Sequence, residues 1–414
     1  MSSAVKALPK DKRWLKYPGF DLAWNVMACI RCSRCYYVHT WDVKSWRFSE
    51  ICPSLKRYMF SAYSAQGKMD IGIAILTGKL KVSQKVAEIL YKCTLCGGCD
   101  VMCKDTMDME PVKVFEALRE ICVKEGVGPL PQHKRFIESI EKNFNPYNEP
   151  HEKRLEWMPK DVKPAEKADV VYFVGCTSAY RRPEIAQATV RILKAAKVDF
   201  MMLHPEEYCC GGTALRVGVR DLAKKMIEHN IEAINKSGAK TVVTSCAGCY
   251  NMFNVKAREI TNMKMNFKVL HITELIDSLI KEGRIKFTRE LGLKVTYHDP
   301  CHLGRLSEPW TPGKPVGVKH YEIPRRILSR IPGVELVEME RIKENAWCCG
   351  AGGGVKAAYP EFAEWTAKER IEEAKTTGAE ALVSSCPFCK TNLKDAAEDE
   401  MKIYDITELI LQAI

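Results

Sequence analysis

The chain has 414 residues, of which 46% are hydrophobic, a formal net charge of +11 and nineteen cysteines. That length and apolar content exclude a disordered or fibrous chain and leave room for two or three domains, each with its own core. The basic excess fits an acidic partner protein, an anionic substrate or a plain solvated surface, and no Lys/Arg tract interleaved with aromatics points to nucleic acid.

The first twenty residues are basic and polar, with no apolar stretch of the kind a secretory signal needs. No run approaches the ~18 apolar residues required of a membrane span. The expected location is therefore cytoplasmic, with any membrane association made through a partner. Thiols stay reduced in that compartment, so clustered cysteines point to metal binding before disulfides.

The cysteines fall into two zones. The first, from Cys29 to Cys103, lies in a part expected to be helical over residues 1–142. Apolar residues recur at helical spacing over 69–80 and 82–91, and a third helix over 111–123 starts on Pro111 and continues through Val112, Phe115, Leu118 and Cys122. Residues 143–169 are rich in Pro, Glu and Lys and read as a linker or draped connection.

The second zone, from Cys176 to Cys389, alternates β-branched runs with helical ones. Strands are predicted over 170–174, 241–244, 295–298 and 381–384, and helices over 185–196, 221–234 and 361–375. Small α/β units with parallel strands follow from that alternation. The zone also repeats itself. Cys176, Cys209-Cys210 and Cys246-x-x-Cys249 are echoed by Cys301, Cys348-Cys349 and Cys386-x-x-Cys389. Each copy ends in the same segment, Ile272-Thr273-Glu274-Leu275-Ile276 in one and Ile406-Thr407-Glu408-Leu409-Ile410 in the other. Duplicated domains are expected over 170–290 and 291–414.

Cys93-x2-Cys96-x2-Cys99-x3-Cys103 has the spacing of a bacterial ferredoxin cluster motif. Three thiolates so spaced wrap one cube of iron and sulfide. Gly97 and Gly98 let the backbone come close enough for N–H groups to donate to sulfur. Cys29-x2-Cys32-x2-Cys35 is a second such run, and its fourth cysteine comes late, at Cys52. In two-cluster ferredoxins the fourth cysteine of each run serves the other cluster. One cubane [4Fe–4S] cluster is therefore assigned to Cys29, Cys32, Cys35 and Cys103, the other to Cys93, Cys96, Cys99 and Cys52. Zinc sites draw on CxxC or CxxH pairs, and three successive cysteines suit them badly. The insert after Cys35 carries His39, Trp41, Trp46 and Arg47, which either shield a cluster, dock a partner or pack on one another. Cys122 matches no motif and reads as a core thiol.

Adjacent cysteines such as Cys209-Cys210 suit a single metal ion poorly, because neighbouring side chains diverge. Five thiolates suit a larger cluster with bridging ligands, and Gly211 and Gly350 give the backbone freedom to wrap it. With these motifs the chain resembles the cysteine-rich, or CCG, domain family of heterodisulfide reductase. The segments Phe173-Val174-Gly175-Cys176, Tyr297-His298-Asp299-Pro300-Cys301-His302-Leu303-Gly304-Arg305 and Ser385-Cys386-Pro387-Phe388-Cys389 carry the likeness. A ferredoxin-like module followed by two CCG domains is the layout of the D-type subunit of that enzyme, or of a fusion of its C-type and B-type subunits. The fold implied is α + α/β: a helical two-cluster ferredoxin-like domain followed by two duplicated α/β CCG domains.

The resemblance implies two noncubane [4Fe–4S] clusters. One would use Cys176, Cys209, Cys210, Cys246 and Cys249, the other Cys301, Cys348, Cys349, Cys386 and Cys389. A disulfide substrate would bind between them, each cluster taking one sulfur while the cubanes feed electrons singly. His298 and His302 flank Cys301 and read as orienting or proton-donating groups. Arg305 reads as a substrate anchor or a salt-bridge partner. No strand–GxGxxG–helix unit for flavin or nicotinamide is present, so electrons must arrive from, or leave to, a partner of flavoprotein, ferredoxin or cytochrome b type. The rival role is an electron-transfer component without disulfide chemistry in a large anaerobic complex, such as class II benzoyl-coenzyme A reductase. A third is a quinone-linked membrane complex with a separate cytochrome.

Overall fold

The computed structural model describes residues 21–39, 41–104, 106–308 and 318–414. The leader reading of residues 1–20 lies outside these. Among the described residues no helix is long and apolar enough to cross a membrane.

Helices build the first part, and their starts are capped as the sequence dictates. Leu22–Ala28 is capped by Asp21, Ala65–Leu76 by Ser64 and Gln84–Tyr91 by Ser83, each side chain accepting from an amide of the first turn. Pro111–Lys124 and Pro131–Asn143 open on proline, whose missing N–H costs nothing there. Among the described residues this part has no strand, only an isolated antiparallel bridge between Tyr37 and Glu50.

Two parallel sheets follow. β1 (Val170–Phe173), β2 (Thr241–Thr244) and β3 (Lys268–His271) lie in the order β1-β2-β3, with Val170 opposite Thr241 and Thr241 opposite Lys268. β4 (Leu293–His298), β5 (Val334–Leu336), β6 (Ala381–Ser384) and β7 (Lys402–Asp405) lie in the order β5-β4-β6-β7. β2 and β6 are buried along their whole length, as interior strands of a covered parallel sheet must be. This is the α + α/β class expected. The strand ends also place the chemistry. Cys176, Cys246, Cys301 and Cys386 each lie two or three residues beyond the end of a strand, at the carboxyl edge where open α/β sheets collect their ligands.

The repeated Ile-Thr-Glu-Leu-Ile segments are strand-to-helix corners. His271 caps the helix Ile272–Lys281 and Asp405 caps Ile406–Ala413. Glu274 and Glu408 reach back to the cap amides at 2.9 and 2.7 Å, completing a capping box in each copy. The two α/β units share one core, in which Tyr172, Val243 and Ile272 join Tyr297, Val383 and Ile406. The Tyr172 hydroxyl meets Ser245 and the Tyr297 hydroxyl meets Ser385, both at 2.9 Å, an interior sign of the duplication.

Buried ion pairs pin the first part and the 143–169 stretch to the first repeat and brace the second repeat internally. Glu116, on the first part, accepts from Arg216 and from Lys256 (2.8 Å), both on the first repeat. Arg154 pairs with Glu207 at 2.9 Å, Arg325 with Asp299 at 2.7 Å and Lys390 with Glu408 at 2.6 Å. Glu373 takes both Arg341 (3.0 Å) and Arg370 (2.8 Å). Residues 143–169 are not a bare tether, since Arg154, Trp157 and Val162 are all buried. The insert is clasped to the second repeat. The Ser45 amide donates to Glu340 at 2.8 Å and Arg47 to Glu369 at 2.9 Å. His39 stacks on Trp41 and Tyr37 on Trp46, yet Trp41 and Trp46 stay 77% and 80% exposed.

Candidate metal centres

Cys29, Cys32, Cys35 and Cys103 line one small cavity. Cys52, Cys93, Cys96 and Cys99 line another. The structure therefore brings together both quartets, with the fourth thiol of each crossing from the other run. The first, the outer quartet, has an exposed member in Cys32; the second, the inner quartet, has none, Cys96 being buried and Cys52, Cys93 and Cys99 half-buried. Burial pushes the Cys35 thiol up to about 11, helped by the charges of Cys29 and Cys32. Burial likewise pushes Cys52 up to about 12 and Cys99 and Cys103 well up. Crowded, buried thiols of this kind are stabilised as thiolates only when cationic metal balances them. An all-sulfur donor set of four suits iron–sulfur or zinc chemistry by softness. Gly97 and Gly98 are also dictated by packing: a Cβ there would fall 2.6 Å from Leu306 and 2.8 Å from Ile51.

All ten cysteines of the two repeats line a single cavity of about 590 Å³. In the first repeat Cys209 touches Cys176 and Cys210, and Cys249 touches Cys210 and Cys246. In the second, Cys348 touches Cys301 and Cys349, and Cys389 touches Cys349 and Cys386. The adjacent pairs thus do not diverge into solvent; they join the other thiols of their set. Glycine amides serve the sulfurs. Gly211 N–H donates to Cys209 Sγ at 3.4 Å and Gly350 N–H to Cys348 Sγ at 3.3 Å. Both glycines are left-handed, at φ +82° and +88°, so the turn that presents each amide requires glycine. The donor sets fit clusters larger than one ion.

Two further contacts join the sets. Cys246 meets Cys386 across the boundary between the repeats. Cys96 of the inner quartet meets Cys348 of the second repeat, and Cys96, Cys301 and Cys348 form one buried group. The thiol contacts therefore run from the inner quartet to the second repeat and from there to the first.

The histidines divide differently from the expectation. His302 Nδ1 lies 3.4 Å from Cys301 Sγ. His298, though also near Cys301 in sequence, instead groups with Cys349 and Cys389, their ligand atoms all within 4.8 Å. His298 closes β4, whereas Cys301 and His302 lie in the turn that follows it. Arg370 donates to His298 Nδ1 at 3.3 Å, leaving Nε2 to carry the proton. Arg305 makes no ion pair among the described residues, so the salt-bridge reading fails. It is buried and donates to the carbonyls of Cys96 (3.0 Å), Glu344 (2.9 Å) and Ala346 (2.6 Å). Cys122 is fully buried, with burial pushing its thiol up to about 12.

Several neighbours of the sulfurs carry no sequence signal. Arg154, within the Pro/Glu/Lys-rich stretch, donates toward Cys176 Sγ at 3.6 Å. Lys68 shares the cavity of the inner quartet, and Arg119 holds the Cys93 carbonyl at 2.6 Å. Arg181, Arg182, Arg216 and Lys356 lie on the wall of the ten-cysteine cavity, Arg181 paired with Glu149, Arg216 with Glu116, and Arg182 and Lys356 both with Asp395.

Comparison with known proteins agrees with this layout. Residues 25–106 match the 4Fe-4S dicluster domain family, and residues 170–254 and 295–394 match the cysteine-rich domain family. The chain is 38% identical over 398 residues to the D-type subunit of the dihydromethanophenazine:CoB–CoM heterodisulfide reductase of Methanosarcina acetivorans, covering 94% of this chain and 93% of that one. It is 32% identical to the B-type subunit of the CoM/CoB fumarate reductase of Methanothermobacter marburgensis, covering 78% of this chain and 62% of that one. It is 30% identical to the EtfAB:quinone oxidoreductase of Syntrophomonas wolfei, covering 79% and 47% respectively.

Proposed function

The chain belongs to the family of heterodisulfide reductase D-type subunits, and from that premise we propose that it reduces an anionic disulfide in the ten-cysteine cavity. It is an iron–sulfur electron-transfer oxidoreductase subunit, and its relatives work in complexes with other subunits. In our reading residues 1–142 hold two cubane [4Fe–4S] clusters. Residues 170–290 and 291–414 hold one noncubane [4Fe–4S] cluster each, on the five-cysteine sets. The observation that carries the reading is the convergence of all ten repeat cysteines on one cavity that also touches the inner quartet through Cys96.

Iron–sulfur centres, when bound, supply one-electron redox steps and iron with an affinity for sulfur. The rest is the work of the chain. Cleaving R–S–S–R′ to two thiols takes two electrons and two protons. Arg181, Arg182 and Lys356 outnumber their partners Glu149 and Asp395 on the cavity wall and favour an anionic disulfide there, in the way a basic cleft gathers its substrate. His302 lies on the wall beside Cys301 and is placed to give a proton to a departing thiolate. The Cys96–Cys348 contact offers a direct path for electrons arriving one at a time. The donor is a partner protein of flavoprotein, ferredoxin or cytochrome b type. The heterodisulfide of coenzyme M and coenzyme B, named for the Methanosarcina relative, is the substrate to try first.

The test is anaerobic oxidation of reduced viologen by that heterodisulfide, on protein whose iron content shows every centre loaded. Rapid oxidation is expected. Loaded protein that cleaves no disulfide would refute disulfide reduction and leave the chain as a conductor within a larger complex, the role suggested by its likeness to the EtfAB:quinone oxidoreductase.

A further inference from the structure

Three cations crowd the inner quartet and none has an anionic partner. Lys68 is 1% exposed, Arg119 0% and Arg305 5%. Lys68 donates to the carbonyls of Tyr63 and Ser64 and lies 5.6 Å from the Phe115 ring centre. Arg119 places its donors on the carbonyls of Leu90, Cys93, Arg216 and Gly353. Arg305 does the same with Cys96, Glu344 and Ala346. Every other buried lysine or arginine among the described residues meets a carboxylate.

Carbonyl dipoles satisfy the donors of such groups but do not neutralise their charge. Burying a cation with no anion is costly, and proteins avoid it unless something at the site compensates. The three lie on different elements and share one neighbour. Lys68 lines the quartet's cavity, Arg119 grips the Cys93 carbonyl and Arg305 the Cys96 carbonyl. One buried acid, Asp100, stands 3.8 Å from Cys99 Sγ and accepts from the Val112 amide, and a single carboxyl cannot balance three cations, so the remaining negative charge belongs in that cavity. The outer quartet is built otherwise. There Arg31 donates to the Cys29 carbonyl at 2.7 Å, but its side chain is 46% exposed and paired with Asp70.

We propose that Lys68, Arg119 and Arg305 are the counter-ions of an anionic centre on Cys52, Cys93, Cys96 and Cys99, and that they set its reduction potential above that of the outer centre. The proposal rests on the reading that both quartets hold [4Fe–4S] centres. Reduction adds one negative charge, so fixed cations favour the reduced state. Water at exposed Cys32 favours it at the outer centre too. Three full charges in a dry interior, where Coulomb interactions are strongest, outweigh that wet edge. An electron accepted at the surface then runs downhill to the Cys96–Cys348 contact. These are positioning and potential-setting residues, not catalytic ones.

The experiment is an anaerobic redox titration of the full-length, iron-loaded protein, followed by electron paramagnetic resonance. Cys32→Ser marks the outer signal by altering it alone. In the unsubstituted protein the inner centre is expected to reduce at the higher potential. Lys68→Met should weaken reduction of the inner centre at least tenfold, about 59 mV for one electron, and leave the outer midpoint in place. Lys68→Arg should restore it, and Arg305→Met should act in the same direction as Lys68→Met. An inner midpoint at or below the outer one overturns the proposal, even if Lys68→Met fails to load iron. So does a fully loaded Lys68→Met with neither midpoint moved. Absence of [4Fe–4S] signals from the quartets in the unsubstituted protein would instead remove the reading on which the proposal stands.

Discussion

Glu116→Gln is the sharpest test of how the parts are joined. Glu116 is buried on the helix Pro111–Lys124 and receives Arg216 and Lys256 from the first repeat. Burial alone would raise its carboxyl, but Lys256 and Arg216 outweigh that and hold it down to about 2 against an ordinary 4.5. That difference corresponds to about 3 kcal/mol of linkage. Removing one partner of a buried ion pair costs about 3–5 kcal/mol, since it strands the other charge. Glutamine keeps the shape and loses the charge. Lys256 retains Glu259 at 3.0 Å, so the stranded charge is chiefly Arg216, and about 3 kcal/mol is expected. The assay is anaerobic urea unfolding of loaded protein, with Glu116→Leu/Arg216→Met as the partnerless control. That double variant should recover most of the loss, because an apolar pair strands nothing. The carboxyl's pKa is depressed on folding, so its contribution is full above pH ~4.5 and disappears as pH falls toward ~2. A Glu116→Gln protein within ~0.5 kcal/mol of the parent would refute the account.

Two further outcomes follow from the same geometry. His133 is buried with Nε2 3.0 Å from the Gly354 carbonyl, and burial pushes it down to about 4. The unfolded chain takes up this proton first as pH falls below ~6.5, so up to about 3 kcal/mol of stability is lost on the way to pH ~4; urea midpoints from pH ~7 to ~5 should fall less steeply in His133→Phe. Gly350→Ala would put its Cβ 2.3 Å from the Ala363 carbonyl, whereas Gly378→Ala, also at positive φ, would meet nothing within 4 Å. The second should cost about 1–2 kcal/mol of strain alone, and the first at least twice that with loss of iron, read by unfolding and iron content; equal costs would mean the wrap around Cys348 is not tight.

The sequence made the sulfur sites easy to find and their connections hard. β1, β2, β4 and β6 are short runs of apolar and β-branched residues that stop two or three residues before a cysteine, so local pattern suffices. β3, β5 and β7 are not distinct in that way: Lys268-Val-Leu-His and Lys402-Ile-Tyr-Asp are only partly buried, and their strand character comes from pairing with β2 and β6. The matched Ile-Thr-Glu-Leu-Ile tails were legible as a repeat but not as capping boxes. Arg305 sits inside a motif, and its neighbours in sequence suggested a ligand role. What it meets is Cys96, 209 positions away. Glu116 and Arg216 are 100 apart, and no periodicity reports a pair of that kind. His298 and His302 looked equivalent beside Cys301 because sequence distance ignores which way a strand end turns a side chain.

The contact between Cys96 and Cys348 has a consequence for failure as well as for flow. On the proposed route the four centres form a series circuit, with the second repeat upstream of the first although it follows it in the chain. Damage to the first repeat's sulfurs would leave three centres that still charge. Damage at Cys348 would cut off both repeats at once, leaving the quartets able to fill with electrons that have nowhere to go. A duplicated domain supplies two related halves, and on the proposed route the position of one thiol would decide which half is a junction and which is a terminus.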